Sequence, residues 1–274
     1  MKIRFLAACV PFLLLSASDG CSLDIDGQSS PSVMLTNTSK THHLLVTGSG
    51  PCRLTFLLVG GGGGHDGLNS HSGAGSGLLH YHHHLQVQPG TVINATVGGH
   101  RQASVLAVSN GETFIAEAGG DSSCQNGTAL GGDGFSGGGA NGPYNGGAGG
   151  GDGKGKYGGG GTGEEVATYT FSTWVITPGD RGNHTANGGG GGGGGVLVDG
   201  VGPMASVYQG QGYGGGGNGF VSSETNYGDG LQGVILIETY VGLENNSVAS
   251  IKPFGFGTLT LVLLLIIFSN VSYI

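Results

Sequence analysis

The sequence predicts a mainly β protein with polyglycine-II-type helices and little α-helix outside its two ends. Three observations support this fold class. Short stretches of β-branched and apolar residues are bounded by turn residues, which is typical of strands. Glycine supplies 64 of the 274 residues, mostly in tracts between those stretches. The middle of the chain shows no 3.6-residue apolar period, and each interior glycine costs a helix about 1 kcal/mol relative to alanine.

The first 20 residues have the pattern of a secretory signal peptide. Basic residues precede an apolar stretch at 5–15, and small residues follow it. Cleavage is expected after Ser18 or Gly20. A bacterial lipoprotein signal ending at Cys21 is the alternative, although the flanking residues fit it less well. We therefore expect residues 1–20 to be removed and the rest of the chain to be secreted.

The chain ends in a hydrophobic tail, residues 259–274, which no Lys or Arg follows. A membrane helix usually has basic residues on its cytoplasmic side. A tail without them is typical of a GPI-attachment signal, which is cut off and replaced by lipid. In the spacer before it, residues 241–258, Asn246 is the expected attachment site, with Ser247 or Asn245 as alternatives. An uncleaved membrane helix is the other interpretation, and in both cases the bulk of the chain faces outward.

N-glycosylation is expected because several N-x-[ST] sequons lie between the two end segments. These sequons are at Asn37, Asn94, Asn126, Asn183 and Asn245. Several sequons on one secreted chain indicate an extracellular glycoprotein.

Residues 21–43 are expected to form an N-terminal segment, and residues 44–240 a glycine-rich domain that holds most of the predicted strands. The predicted strands are HHLLVTG (42–48), RLTFLLVG (53–60), LQVQ (85–88), TVINATVGG (91–99), the two halves of SVLAVSNGETFIAEAGG (104–120), ATYTFSTWVITPG (167–179) and GVILIETYV (233–241). Asn110-Gly111 between two apolar stretches is the strongest short-range signal for a β-hairpin. The aromatic residues in the stretch 167–179, Tyr169, Phe171 and Trp174, are expected in the core.

The glycine tracts fit an ordered structure better than a flexible linker, because an apolar strand lies on either side of each tract. They lack the strict G-X-Y period of collagen. Glycine also forms an extended threefold helix with about 3.1 Å rise per residue and no internal hydrogen bonds. Without Cβ atoms, such helices can approach closely and bond to each other through their backbones. The run at 188–195 is expected to be one such helix that leads into a strand at Val196–Val198.

The stretches LTFLLVGGGGG, VLAVSNGETFIAEAGG and NGGGGGGGGVLVDG…GQGYGGGG…GLQGVILIE resemble the glycine-rich domain of the anaplastic lymphoma kinase and leukocyte tyrosine kinase receptors. The resemblance covers roughly residues 44–239 and implies β-strands that feed a bundle of polyglycine helices. The kinase domain and cysteine-rich segments of those receptors are missing, so no signalling role or ligand-contact residue is carried over. The chain is also similar to secreted glycine-rich invertebrate proteins of skeletal and shell matrices, which implies a matrix setting.

Three cysteines remain once the signal peptide is removed: Cys21, Cys52 and Cys124. They allow at most one disulfide within the chain. We expect Cys52 to pair with Cys124, since both flank strand-like segments.

The stretch HYHHH is the candidate metal site. On a regular strand His80, His82 and His84 would share one face, and three imidazoles suit Zn²⁺ or Cu²⁺. An exposed polar strand is the alternative interpretation. No other cofactor is indicated.

The acidic balance, 9 Lys and Arg against 17 Asp and Glu, argues against nucleic acid as a partner. The expected partners are extracellular matrix or cell-surface proteins and, through the anchor, the membrane. The predicted function is that of a non-enzymatic structural protein of an extracellular matrix, either mineralised or not. A cell-surface binding module, such as a co-receptor or ligand trap, is the alternative, and a metal-dependent enzyme built on the histidines is a third class.

Overall fold

The computed structural model describes residues 20–64, 72–125, 128–130, 134–135, 138, 169–183, 191–204, 210–217 and 228–241. These residues are mainly β-sheet and contain no helix, as the fold class predicts. They all belong to one compact unit, Met1–Gly242. A search of the same residues finds no helix that is long and apolar enough to span a membrane.

The strands of the described residues are β1 (Ser22–Ile25), β2 (Gln28–Ser30), β3 (Ser32–Leu35), β4 (Thr41–Thr47), β5 (Cys52–Val59), β6 (Leu79–Val87), β7 (Val92–Thr96), β8 (Ser104–Val108), β9 (Thr113–Ala116), β10 (Ser123–Gln125), β11 (Thr128–Leu130), β12 (Ile176–Pro178), β13 (Val196–Val198) and β14 (Val234–Val241). Residues 21–43 were expected to form a separate N-terminal segment, but they contribute strands to both main sheets.

Two antiparallel sheets enclose the main core. One has six strands in the order β2-β1-β4-β7-β8-β9, and the other has four in the order β3-β14-β5-β6. In β4 every second residue is buried, because one face of the strand packs inward and the other meets water. The fully buried large side chains of this core are Leu23, Leu44, Val46, Leu54, Phe56, Leu58, Ile93, Leu106, Ile235 and Ile237.

The four-stranded sheet is covered on its second face as well. Strands β5 and β14 are buried along nearly their whole length, which matches their continuous apolar sequences. The second core packs Leu57 and Leu236 against Phe171, while Tyr169 and Trp174 lie partly buried beside it. The prediction that these three aromatic residues belong to a core is confirmed. The predicted strand at 167–179 is largely wrong, because within its described part only β12 is a strand.

The predicted hairpin at Asn110-Gly111 is confirmed. Strands β8 and β9 pair antiparallel, and Gly111 in the turn has a φ of +100° that few side chains tolerate.

Glycine segments continue from the ends of the strands and bond to each other through their backbones. After β5, Gly60 and Gly63 donate N–H hydrogen bonds to one neighbouring segment, residues 75–78. Between them, the N–H of Gly61 donates to the carbonyl of Gln102 and the N–H of Gly62 to that of Leu231. Successive N–H groups therefore point to different neighbours, and the first neighbour recurs after three residues.

The same interval recurs in residues 74–78. There the N–H groups of Ala74 and Gly77 donate to carbonyls in residues 214–217. The N–H groups of Gly75 and Leu78 donate to carbonyls in residues 117–120. We call the buried residues 60–64, 73–77, 191–195 and 214–217 the glycine layer. A Cβ at Gly62 would lie 2.0 Å from the carbonyl oxygen of Gly215, so the layer leaves no room for a side chain there.

Candidate functional site

Strand β6, at the edge of the four-stranded sheet, carries four histidines and a β-bulge. Its register against β5 shifts between Leu54 and Phe56. As a result, two consecutive residues, His83 and His84, lie opposite the single residue Thr55. His84 has a φ of +65°, a left-handed conformation that is uncommon for a residue with a Cβ.

The bulge separates the three histidines of the predicted metal site. His80 and His82 stack on Phe56 at the margin of the main core, with ring centroids 6.4 and 5.2 Å away. The ring of His84 instead contacts that of Tyr240 on the other face of the sheet. The expectation that His80, His82 and His84 share one face is therefore wrong, because the extra residue reverses the alternation. The described residues contain no group of three or more His, Cys, Asp or Glu side chains that could hold a metal ion.

On the inner face, His80 and His82 close the edge of the main core together with Phe114, whose ring lies 5.5 and 5.1 Å from theirs. Burial, followed by the neighbouring His82, lowers the pKa of His80. A neutral imidazole packs against phenylalanine rings without bringing a charge to the core.

On the outer face, five rings form a continuous row, which we call the ring row: Tyr169, Tyr81, His83, His84 and Tyr240. Successive centroids along it are 4.8, 6.1, 3.5 and 6.0 Å apart. His83 and His84 are exposed, whereas the three tyrosines are partly buried. Desolvation, followed by the charges of His83 and Arg53, lowers the pKa of His84.

Next to the ring row, the buried carboxylate of Glu238 holds a loop on the sheet. It accepts hydrogen bonds from the backbone N–H and hydroxyl of Ser172 and from the hydroxyls of Thr173 and Tyr240. Four donors fill the four lone-pair positions of a carboxylate. This carboxylate therefore anchors the loop and has no free position at which to take a proton from a substrate.

The ionisation of this network follows from its hydrogen bonds. Burial alone would raise the pKa of Glu238, but the hydrogen bonds from Ser172, Tyr240 and Thr173 outweigh it and lower the pKa below the ordinary value. Burial, together with the hydrogen bond to the Glu238 carboxylate and its charge, raises the pKa of Tyr240 to about 12. Glu238 is thus an anion and Tyr240 a neutral donor at neutral pH.

The disulfide joins Cys52 to Cys21, so the predicted Cys52–Cys124 pair is wrong. Ser22 in β1 pairs with Thr47 in β4, and the short loop after β4 returns Cys52 to the residue before β1. Cys124 lies in β10, a strand paired only with β11 among the described residues. The missing information was the pairing of β1 with β4, which cysteine spacing does not contain.

Three of the predicted glycosylation sites, Asn37, Asn94 and Asn183, are described, and all three are exposed. The Oδ1 of Asn94 lies 2.7 Å from the Nδ1 of His43 on the outer face of the six-stranded sheet. The sites Asn126 and Asn245, the predicted lipid attachment at Asn246 or Ser247, and both hydrophobic end segments lie outside the described residues.

No protein-family model matches the chain, and no curated protein matches it either.

Proposed function

We propose that the protein is a non-enzymatic structural component of an extracellular matrix, held at the outer surface of the cell by a GPI anchor. The signal-peptide pattern, the tail without basic residues and the sequons support secretion and anchoring. The observation that carries the structural role is the glycine layer, in which backbone contacts replace side-chain packing.

We further propose that the segments of the glycine layer are polyglycine-II-type helices. Such a helix has three residues per turn, and its N–H and C=O groups point outward to its neighbours. The return of hydrogen bonds to the same neighbour after three residues, in residues 60–63 and again in 74–78, supports this conformation. The burial of the glycine-layer segments, none of which lies in a strand, also supports this conformation.

A layer of this kind suits a load-bearing or persistent extracellular protein. Its hydrogen bonds join parts of the chain far apart in sequence, such as Gly62 to Leu231 and Gly217 to Gly63. Opening any one segment breaks bonds to several others, so local opening is expected to be rare. The acidic balance of the chain adds a weak attraction to cations, including those of a mineral surface.

The alternative is a cell-surface binding module that recognises a ligand or acts as a co-receptor. The ring row favours it, because tyrosine and histidine rings offer apolar faces with polar edges at recognition surfaces. The proposed partners for either role are matrix or cell-surface proteins.

Localisation of the mature protein in its tissue tests the proposal. A matrix component is expected in the insoluble fraction after detergent extraction of the cells. Phospholipase treatment of live cells tests the anchor, since it cleaves a GPI lipid. If the treatment releases all of the protein in soluble form and none stays in the insoluble matrix, the anchor is supported, but the structural role is contradicted and the binding module is favoured.

A further inference from the structure

We propose that Tyr81 and Tyr169 are a site of oxidative cross-linking, at which a peroxidase with hydrogen peroxide joins the two rings by a carbon–carbon bond. Tyr81 lies in the edge strand β6, and Tyr169 lies in the loop that Glu238 holds on the sheet. The bond would tie together two parts of the chain that are far apart in sequence. This modification goes beyond the proposed structural function and does not depend on it.

The two rings overlap face to face with a tilt. Their centroids are 4.8 Å apart, and the angle between their planes is 30°. Rings at this distance cannot lie side by side in one plane, because their edges would collide, so part of one face covers the other. The distance is near the short end of the range for aromatic pairs. Some ring carbons of the two tyrosines are therefore closer to each other than the centroids are.

This geometry suits the coupling of two phenoxyl radicals. A phenol that loses one electron and one proton shares its unpaired electron between the oxygen and the ortho and para ring carbons. The para carbon carries the rest of the side chain, so an ortho carbon forms the new bond. The orbital that holds the electron is perpendicular to the ring plane. Overlapping faces therefore direct the orbitals of the two radicals toward each other.

Contacts with the loop hold the pair in place. The Tyr81 hydroxyl donates a hydrogen bond to the Thr170 carbonyl at 3.2 Å. The ring of the buried Phe171 packs against that of Tyr81 in an edge-to-face contact, with centroids 5.9 Å apart. The next residue, Ser172, is anchored on the Glu238 carboxylate. Reacting groups that are already held together couple far faster than groups that must first meet.

Both rings are partly exposed on the outer face of the sheet, so an oxidant can reach them. Hydrogen peroxide takes one electron and one proton from each phenol and leaves as two water molecules. The carbon–carbon bond then forms, one ortho C–H bond breaks on each ring, and the two protons return to the phenolic oxygens. The cross-linked chain has thus lost two hydrogen atoms in total.

The order of the ring row makes Tyr169, and not Tyr240, the partner of Tyr81. Tyr240 is separated from Tyr81 by the rings of His83 and His84. Its phenolic proton is also held in a hydrogen bond to the Glu238 carboxylate.

Oxidation of the purified mature chain with peroxidase and hydrogen peroxide, in dilute solution so that chains seldom meet, tests the site. The monomer is then isolated, digested and mapped by mass spectrometry. We expect a peptide in which Tyr81 is linked to Tyr169, lighter by two hydrogen atoms than the sum of its parts. Tyr81→Phe and Tyr169→Phe keep the ring but lack the phenol, so each should lose this peptide. The matched control Tyr213→Phe removes the hydroxyl of a partly buried tyrosine outside the ring row and should retain it.

Circular dichroism of each variant confirms that the sheets are intact, and coupling of free N-acetyltyrosine in a parallel reaction confirms that the oxidant is active. The proposal is overturned if the oxidised parent monomer yields no peptide that links Tyr81 to Tyr169. It is also overturned if Tyr81 is linked to another tyrosine in preference to Tyr169. Neither result bears on where the protein is localised, so the structural function is tested separately.

Discussion

A Cβ placed on Gly191 would lie 2.0 Å from the carbonyl oxygen of Gly182. One residue further on, the carbonyl of Gly192 accepts the N–H of Gly182 at 2.8 Å. The two segments thus meet at the distance of a backbone hydrogen bond, which any side chain directed between them would prevent. The described end of the longest glycine run is therefore a packing surface, and its composition follows from the contact it makes.

Replacing Gly191 with valine should destabilise the protein, because the new side chain would overlap a backbone carbonyl that cannot rotate away. Overpacking of this kind typically costs about 1–3 kcal/mol in the free energy of unfolding, and more where the backbone must move. Chemical denaturation monitored by circular dichroism measures the change. Gly50→Val is the control, since a Cβ at Gly50 meets nothing within 4 Å. Equal unfolding free energies for the two variants would contradict a packed Gly191.

Loss of the disulfide should lower stability. Cys52→Ser removes the bond to Cys21 across a separation of 31 residues, and loss of a native disulfide typically costs about 2–5 kcal/mol. Thermal unfolding measures the effect, with Cys124→Ser as the control that leaves the bond in place. Peptide mapping under non-reducing conditions should recover Cys21 linked to Cys52, and a Cys52–Cys124 peptide would refute the assignment.

The Glu238 network predicts a dependence of stability on pH. A folded-state pKa below the ordinary value of 4.5 means that the ionised carboxylate stabilises the fold above that value. This contribution is lost as the pH falls through the folded-state pKa. Glu238→Gln lacks this contribution, and its amide nitrogen removes the acceptor from two of the four donors, one of them on Ser172. The variant should therefore be less stable by about 1–3 kcal/mol at pH 7.

The measurement is the free energy of unfolding of parent and variant between neutral and strongly acidic pH. The gap between them should be constant above pH 4.5 and narrow below it. A gap that widens on acidification would show that the carboxylate is not held in its ionised form.

The exposed Asn94 should carry a glycan when the chain is expressed through a secretory pathway. Asn94→Gln is expected to lower the intact mass by one glycan, because the amide needed for attachment is gone. Asn110→Gln, which changes an exposed asparagine outside any sequon, should leave the glycan mass unchanged. Identical glycan masses for parent and Asn94→Gln would show that the site is not used.

Prediction from the sequence succeeds where the burial of a strand alone determines its residue pattern. The alternation in β4 and the continuous apolar runs of β5 and β14 follow directly from which faces are buried. It fails where a contact with a residue far away in the chain determines the local structure. The segment before β12 does not extend the strand, because the N–H of Ser172 bonds to Glu238 of another element.

In the same way, the face of the sheet on which each histidine lies depends on the register of β6 against β5. No feature of the stretch HYHHH specifies that register. The disulfide depends on the pairing of β1 with β4. Both errors concern contacts between strands, whereas the sequence pattern reports only each strand's own burial.

Hydrogen exchange of the backbone amides in residues 60–64 tests the central claim, that the glycine segments form an ordered layer packed through their backbones. Four of these amides donate to backbone carbonyls of neighbouring segments, and all five residues are buried. We predict that peptides covering this tract exchange as slowly as those covering β5, and far more slowly than the loop at residues 48–50. Exchange of residues 60–64 at the rate of an unstructured chain would contradict the account.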